Sequence, residues 1–249
     1  MKVIILAGGK GSRISEITKK IPKPMIKIKS KPIIEHIINF YSAQGFNEFI
    51  IPIGYKGAFI KKYFKKFYLS KGFFILNKKR VKIKFVSTGL KTMTGGRLKS
   101  IKKFIDKNEN NFMFTYGDGL ANVNLKKLLK FHLKKKKIAT LTAVRPISRY
   151  GVLNLKGSNV LEFKEKKSIS SGWINGGFFV FNKKVFNFLK NKKSILEKEP
   201  LETITKRKQL NAFKHHGFWH SIDTIRDKEY LESKINKKIR DFPWEKIND

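Results

Sequence analysis

Apolar residues along this chain come in two rhythms. "KVIIL" at 2–6, "EFIIPI" at 48–53, "VKIKFV" at 81–86, "FMFTY" at 112–116 and "IATLTAV" at 138–144 are short, mostly apolar runs. Runs of that length, rich in β-branched and aromatic residues, predict strands covered mostly on both faces. Between them the spacing shifts to the helical period. Ile33, Ile34, Ile37, Ile38 and Tyr41 fall on one stripe behind Pro32, a residue suited to a first helical turn. Further helices are predicted over 58–67, 98–105 and 125–133. Such alternation implies right-handed crossovers and a mostly parallel sheet.

After Arg149 the texture changes. "YGVLNLKG", "NVLEFKEK" and "WINGGFFVF" are closely spaced strand patterns with Gly turns, so part of the second half is predicted antiparallel. Helices are predicted at 183–189, 200–206 and 224–234. The fold class is therefore α/β: a Rossmann-like, mostly parallel mixed sheet flanked by helices, with a smaller antiparallel sheet region in the second half. No linker, low-complexity tract or repeat interrupts the pattern. Residues 1–249 are expected to form one domain, with 1–145 as its core and 146–249 adding the sheet region and C-terminal helices.

Composition narrows the function classes. The 249 residues are 41% hydrophobic with 22 Phe, enough for a sizeable core. No apolar run approaches the roughly 20 residues of a membrane span. The N-terminal apolar stretch is broken by "GGKG" too soon for a signal peptide. A cytoplasmic protein is expected. With no Cys, disulfides, thiolate nucleophiles and Cys-ligated metals are excluded. Fifty-six Lys and Arg against 18 Asp and Glu give a net charge of +38, which raises the question of nucleic acid. The basic residues are spread through every segment, as in "KKYFKKF" and "LKKKK", rather than gathered in an arm. Lys, Ile, Asn and Phe are enriched together, the mark of an A/T-rich coding sequence. No nucleic-acid partner is expected, although a positive field draws in anionic substrates. His36, His132, His215, His216 and His220 show no metal-ligand spacing and read as structural or surface residues.

The first strand runs straight into "LAGGKGSR" at 6–13. A Gly-rich turn after a strand points several backbone N–H groups at an anion. Walker A spacing is absent. The dinucleotide pattern could begin at Gly9 and Gly11, but Ile14 stands where its third Gly belongs, and "KKIPKPM" forbids the regular helix that should follow. What remains is G-G-x-G-x-R at Gly8–Arg13, then P-K-P at Pro22, Lys23 and Pro24.

With "MTGGR", "YGDG", "INGGFF" and "GFW…DT", this ordered set resembles the sugar-1-phosphate nucleotidylyltransferases, specifically their cytidylyl-transferring branch, over essentially the whole chain. The resemblance implies CTP and glucose 1-phosphate as substrates, CDP-glucose as product for surface-polysaccharide sugars, Mg²⁺ as cofactor and a homo-oligomer. The segment between "YFKKFYLSKG" and "VKIKFVSTG", near the family's subunit contacts, is shorter here. It also implies roles. Leu6, Ala7, Gly8, Gly9, Gly11 and Ser12 would hold the nucleotide with Gly117, and Arg13 and Lys23 its phosphates. Asp118 and Asp223 would bind the metal. Thr92 and Arg97 would read the base. Glu165 and Lys166 would hold the sugar and its phosphate, and Asn175 the hexose; Lys167 stands where the family usually has Pro. The mechanism implied is in-line attack of the sugar phosphate on the α-phosphorus.

The residues themselves leave alternatives open. Asp118 in a Gly–Asp–Gly setting also suits a hairpin turn. Asp223 also suits a helix cap before Thr224. The 92–97 segment also reads as a loop opening a helix. At the level of function, the rivals are the same fold using UTP, dTTP or GTP, or another sugar 1-phosphate, and a non-catalytic or nucleic-acid-binding protein.

Overall fold

The computed structural model describes residues 1–146, 152–164, 172–235 and 242–247. β1 (Lys2–Leu6) leads through the short α1 (Ser15–Thr18) and a paired turn, β2 (Lys27–Ile28) with β3 (Lys31–Pro32), into α2 (Ile33–Ala43) and β4 (Glu48–Ile53). α3 (Gly57–Lys65), β5 (Tyr68–Ser70), β6 (Phe73–Leu76), β7 (Lys79–Ser87), α4 (Thr94–Ser100) and β8 (Asn111–Tyr116) follow. Next come β9 (Gly119–Ala121), α5 (Leu125–Lys135), β10 (Ala139–Val144), β11 (Val152–Lys156), β12 (Asn159–Lys164) and β13 (Ile174–Asn182). The chain continues with α6 (Glu199–Lys206), β14 (Leu210–Lys214), β15 (Trp219–Ser221) and α7 (Ile225–Ser233).

Among the described residues the principal sheet has nine strands, ordered β14-β10-β13-β8-β1-β4-β7-β6-β5. The first strand lies inside it, parallel to both β4 and β8. Its neighbours come from later in the chain on both sides, so strand order reverses at β1. A crevice outside the carboxyl ends of the strands opens at such a point. The side chains of β1 alternate between two cores. Val3 and Ile5 join the α2 stripe of Ile33, Ile34, Ile37, Ile38 and Tyr41 on one face. Ile4 and Leu6 join Leu98, Phe114, Phe179 and Ile204 on the other. Each fully buried aliphatic side chain contributes about 1.5–3 kcal/mol, which is why runs without polar interruption end up in the middle of the sheet.

Several elements depart from the pattern reading. "WINGGFFVF" is antiparallel, as its pattern predicts, but its strand β13 enters the principal sheet between β8 and β10 and not the small antiparallel region. β11 and β12 form a separate two-stranded ribbon. The helix expected over 98–105 starts earlier, at Thr94, and gives way to a 3-10 turn at Lys102–Phe104. The element expected over 183–189 is a 3-10 helix, Lys183–Phe188, capped by the Asn182 side chain. The pattern reading does not include β5, β6 or β14: β5 is an exposed three-residue edge strand, β6 beside it has four residues, and β14 is a partly exposed strand at the other edge. No helix among the described residues is long and apolar enough to cross a membrane.

Candidate active site

The glycine loop leaves β1 at the mouth of the crevice. Ala7 still pairs with β4's end, its N–H donating to the Pro52 carbonyl at 3.1 Å, and the Gly8 carbonyl accepts from the Tyr55 N–H at 3.1 Å. Gly11 then takes a left-handed conformation (φ 65°) and opens a 3-10 turn, Ser12–Ile14. A side chain there would be strained by the backbone and would also meet the Thr18 methyl at 2.9 Å. The Thr18 hydroxyl donates to the Gly11 carbonyl at 3.0 Å, which fixes the turn. The N–H groups of Gly9, Lys10 and Gly11 take no backbone acceptor among the described residues. Gly9, Lys10, Ser12 and Arg13 are exposed. The loop is thus a set of outward donors on a rigid base, the arrangement that binds phosphate oxygens.

Two carboxylates face this loop, and a very short ladder brings them there. β8 ends at Tyr116, and Gly117 and Asp118 follow directly. β9 pairs antiparallel with β15, setting Ser221 opposite Gly119, and the Ile222 N–H donates to the Asp118 carbonyl at 3.0 Å. Asp118 just before one strand and Asp223 just after the other therefore emerge side by side. Lys23 Nζ lies between them, 2.6 Å from Asp118 Oδ2 and 2.8 Å from Asp223 Oδ1. Arg13 Nη1 is 3.1 Å from the same Asp223 oxygen. The Lys23 side chain is only 12% exposed and the Arg13 side chain 78%. Pro22 (φ −69°) holds the entry to the 3-10 turn Lys23–Met25, so the lysine's direction is set by the backbone. Gly117 lies where a side chain would meet the Leu6 carbonyl and Pro24, which lets the carboxylate-bearing segment approach the loop.

Electrostatics follow from this packing. Burial acts to lower the Lys23 pKa, but the charges and hydrogen bonds of Asp118 and Asp223 outweigh it and hold it above its ordinary value. Burial acts to raise the Asp223 pKa, and Lys23 and Arg13 outweigh it, leaving it below the ordinary value. The alternative role for Asp223, a helix cap, is taken by its neighbours. Thr224 caps α7 and Asp227 returns the bond in a capping box. The Asp223 carboxylate is therefore left to point at Lys23. Two carboxylates converging on one cation, beside a phosphate-type loop, form the partial oxygen set that Mg²⁺ uses, since that ion takes one or two carboxylates and completes its shell with phosphate oxygens and water. The donor set fits a divalent ion held jointly with a substrate.

The 92–97 segment forms the crevice's other wall. Thr92 is buried and its hydroxyl donates to the Thr88 carbonyl at 2.5 Å. Arg97 is 3% exposed, bonds Thr88 Oγ1 at 2.5 Å, and lies beneath the glycine loop. A methyl group at Gly8 would sit 2.2 Å from its Nη1, and one at Gly54 2.4 Å. Burial pulls the Arg97 pKa below its ordinary value. Sequence reasoning missed Gly54 and Thr88, which help to seat this guanidinium together with the Ile53 carbonyl, to which Nη1 donates at 3.4 Å. Their only signal was position, at the carboxyl ends of β4 and β7.

On the opposite side, Asn175 is exposed near the start of β13, and its Oδ1 accepts from the Gly177 N–H at 2.9 Å. Glu165 and Lys166 lie outside the described residues. Tyr116, at the tip of β8, donates to Glu197 Oε1 at 2.5 Å. Burial and the Glu197 charge raise the Tyr116 pKa, so its phenol stays a neutral donor.

Comparison with known proteins places the chain in a family. A family model described as nucleotidyl transferase matches residues 2–235. The glucose-1-phosphate cytidylyltransferase of Salmonella typhimurium is 43% identical, over 98% of this chain and 98% of that protein. The D-glycero-α-D-manno-heptose 1-phosphate guanylyltransferase of Campylobacter jejuni is 36% identical over 75% of this chain and 78% of its own. Among solved structures, HddC from Yersinia pseudotuberculosis superposes with a TM-score of 0.73 at 25% identity, covering 94% of this chain and 99% of that one; it has also been solved complexed with GMP-PN.

Proposed function

The chain belongs to the nucleotidyl transferase family, and from that premise we propose that it transfers a cytidylyl group from CTP to glucose 1-phosphate, giving CDP-glucose and pyrophosphate. The observation that carries the reading is the convergence of Asp118, Asp223 and Lys23 under the glycine loop. The choice of nucleotide and sugar is supported by the 43% identity over 98% of the chain with a glucose-1-phosphate cytidylyltransferase.

A phosphate oxygen of glucose 1-phosphate attacks the α-phosphorus of CTP. A new P–O bond forms there, the bond to the bridging β-phosphate oxygen breaks, and pyrophosphate leaves. No general base is required, because the attacking phosphate is already ionised at neutral pH. The N–H groups of Gly8 to Ser12, with Leu6, Ala7 and Gly117 behind them, hold the triphosphate in line. Arg13 and Lys23 offset the charge that grows on pyrophosphate, the guanidinium fork gripping two oxygens at once. Asp118 and Asp223 are the residues that would hold Mg²⁺, which when bound screens the reacting phosphates from each other. The base is placed at the 92–97 segment, with the buried Thr92 and Arg97 as its floor. Glu165, Lys166 and Asn175 meet the sugar phosphate and hexose, so that 1–145 serves the nucleotide and 146–249 the sugar. Association into a homo-oligomer belongs to the same proposal.

The test is pyrophosphate release with glucose 1-phosphate and each of CTP, UTP, dTTP and GTP. CTP should give the highest kcat/KM. An equal or higher value with another nucleotide, or no release with any, overturns the assignment.

A further inference from the structure

We propose that Glu197 is a positioning residue of the transfer site, locking the segment that meets the base to the strand that leads into Asp118. The inference rests on the nucleotidyl-transfer reading above and assigns a role to a residue outside it.

One carboxylate collects two hydroxyl donors from two distant parts of the chain. Tyr116, two residues before Asp118, donates to Oε1 at 2.5 Å. Thr94, the first residue of α4 and three residues before Arg97, donates to Oε2 at 2.6 Å. Hydrogen bonds to an ionised acceptor are roughly twice as strong as neutral ones. Glu197 is exposed, but the backbone that presents it is clamped. The Met93 N–H donates to the Lys192 carbonyl at 2.9 Å, the Gly96 N–H to the Ser194 carbonyl at 3.1 Å, and the Leu196 N–H to Thr94 Oγ1 at 2.9 Å. Gly96 allows this approach, because a methyl there would lie 2.4 Å from the Lys192 oxygen. Leu196 itself is completely buried. The 192–197 segment is thus docked on the first turn of α4 and extends one carboxylate across to the tip of β8.

That bridge spans the two places one nucleotide must reach together. With the base at the 92–97 segment and the phosphates at Asp118, the separation of the two segments must match the nucleotide's own length. A misplacement of about 1 Å between reacting groups costs about 10²-fold in rate. An exposed glutamate that merely satisfied two surface hydroxyls would influence stability alone.

The experiment separates these cases. Glu197→Gln keeps the shape and one acceptor oxygen, but its NH₂ group cannot accept the second hydroxyl. Kinetics use the nucleotide the wild-type protein turns over best, so a revised substrate for the protein leaves the test intact. Nucleotide affinity by calorimetry is read alongside, which keeps the test meaningful even if wild-type turnover is absent. The expected result is a loss of about tenfold in kcat/KM, or in affinity, with narrowed discrimination among nucleotides. Thr94→Val and Tyr116→Phe should each reproduce part of the loss, and combining either with Glu197→Gln should add less than its separate effect. These two variants carry the test if Glu197→Gln does not fold. Unchanged kinetic constants and affinities with only a lower Tm, or losses that simply multiply, overturn the proposal.

Discussion

Gly8→Ala puts the site's packing to a direct test. The backbone at this position does not adopt a positive φ, so alanine is conformationally acceptable and only space decides. There is none. The new methyl would lie 2.2 Å from Arg97 Nη1, 2.5 Å from Cζ and 2.9 Å from Nε, well inside contact distance. The guanidinium cannot swing into solvent cheaply, because it is 3% exposed, bonded to Thr88 Oγ1, and confined on its other side by Gly54. Overpacking at a tight site costs about 1–3 kcal/mol. For a chain of this size that is a fall in Tm of about 2–12 °C. Thermal unfolding of four proteins provides the assay: wild type, Gly8→Ala, Arg97→Ala and the double variant. If the clash is with Arg97, removing that side chain relieves it, and the double variant should be more stable than the two single losses add up to, by at least about 1 kcal/mol. Activity should fall in all three variants, since the loop and its floor move. A Gly8→Ala protein with wild-type Tm and kcat/KM, or stability losses that add, would refute the placement of the guanidinium beneath the loop.

Two other expectations follow. Asp223→Asn should lower kcat by about 10²-fold or more with the fold intact by circular dichroism, because Thr224 and Asp227 already cap α7; near-normal turnover would exclude a role in holding the ion. Stability should also decline between pH 6.5 and 5. Burial lowers the pKa of His36 and of His132 to about 4, so the folded state keeps them neutral while the unfolded chain takes up protons below about 6.5. The stabilisation is complete above that value and is lost as pH falls, at about 2 kcal/mol per histidine by pH 5. Urea midpoints across this range measure it, and a flat profile would contradict the burial of both rings.

The sequence by itself determined what local physics can encode. Apolar runs without polar interruption had to become the inner strands β1, β4 and β8, and the Ile stripe had to become α2, because burial selects period and length residue by residue. "GGKGSR" and "IPKPM" specify turns through backbone conformations that few residues allow, so the loop and the direction of Lys23 were legible. Asp118 and Asp223 could be nominated from their motifs but not joined. The ladder that unites them, β9 with β15, has three residues a side and carries no periodic signal. The tertiary structure also decided that Thr224 and Asp227 cap α7 and leave Asp223 free, that β13 enters the sheet between β8 and β10, and that Arg97 lies under Gly8. Each of these depends on what a segment meets across space. A hydrogen bond or a close approach is specified by both partners, and only folding brings the second one into reach.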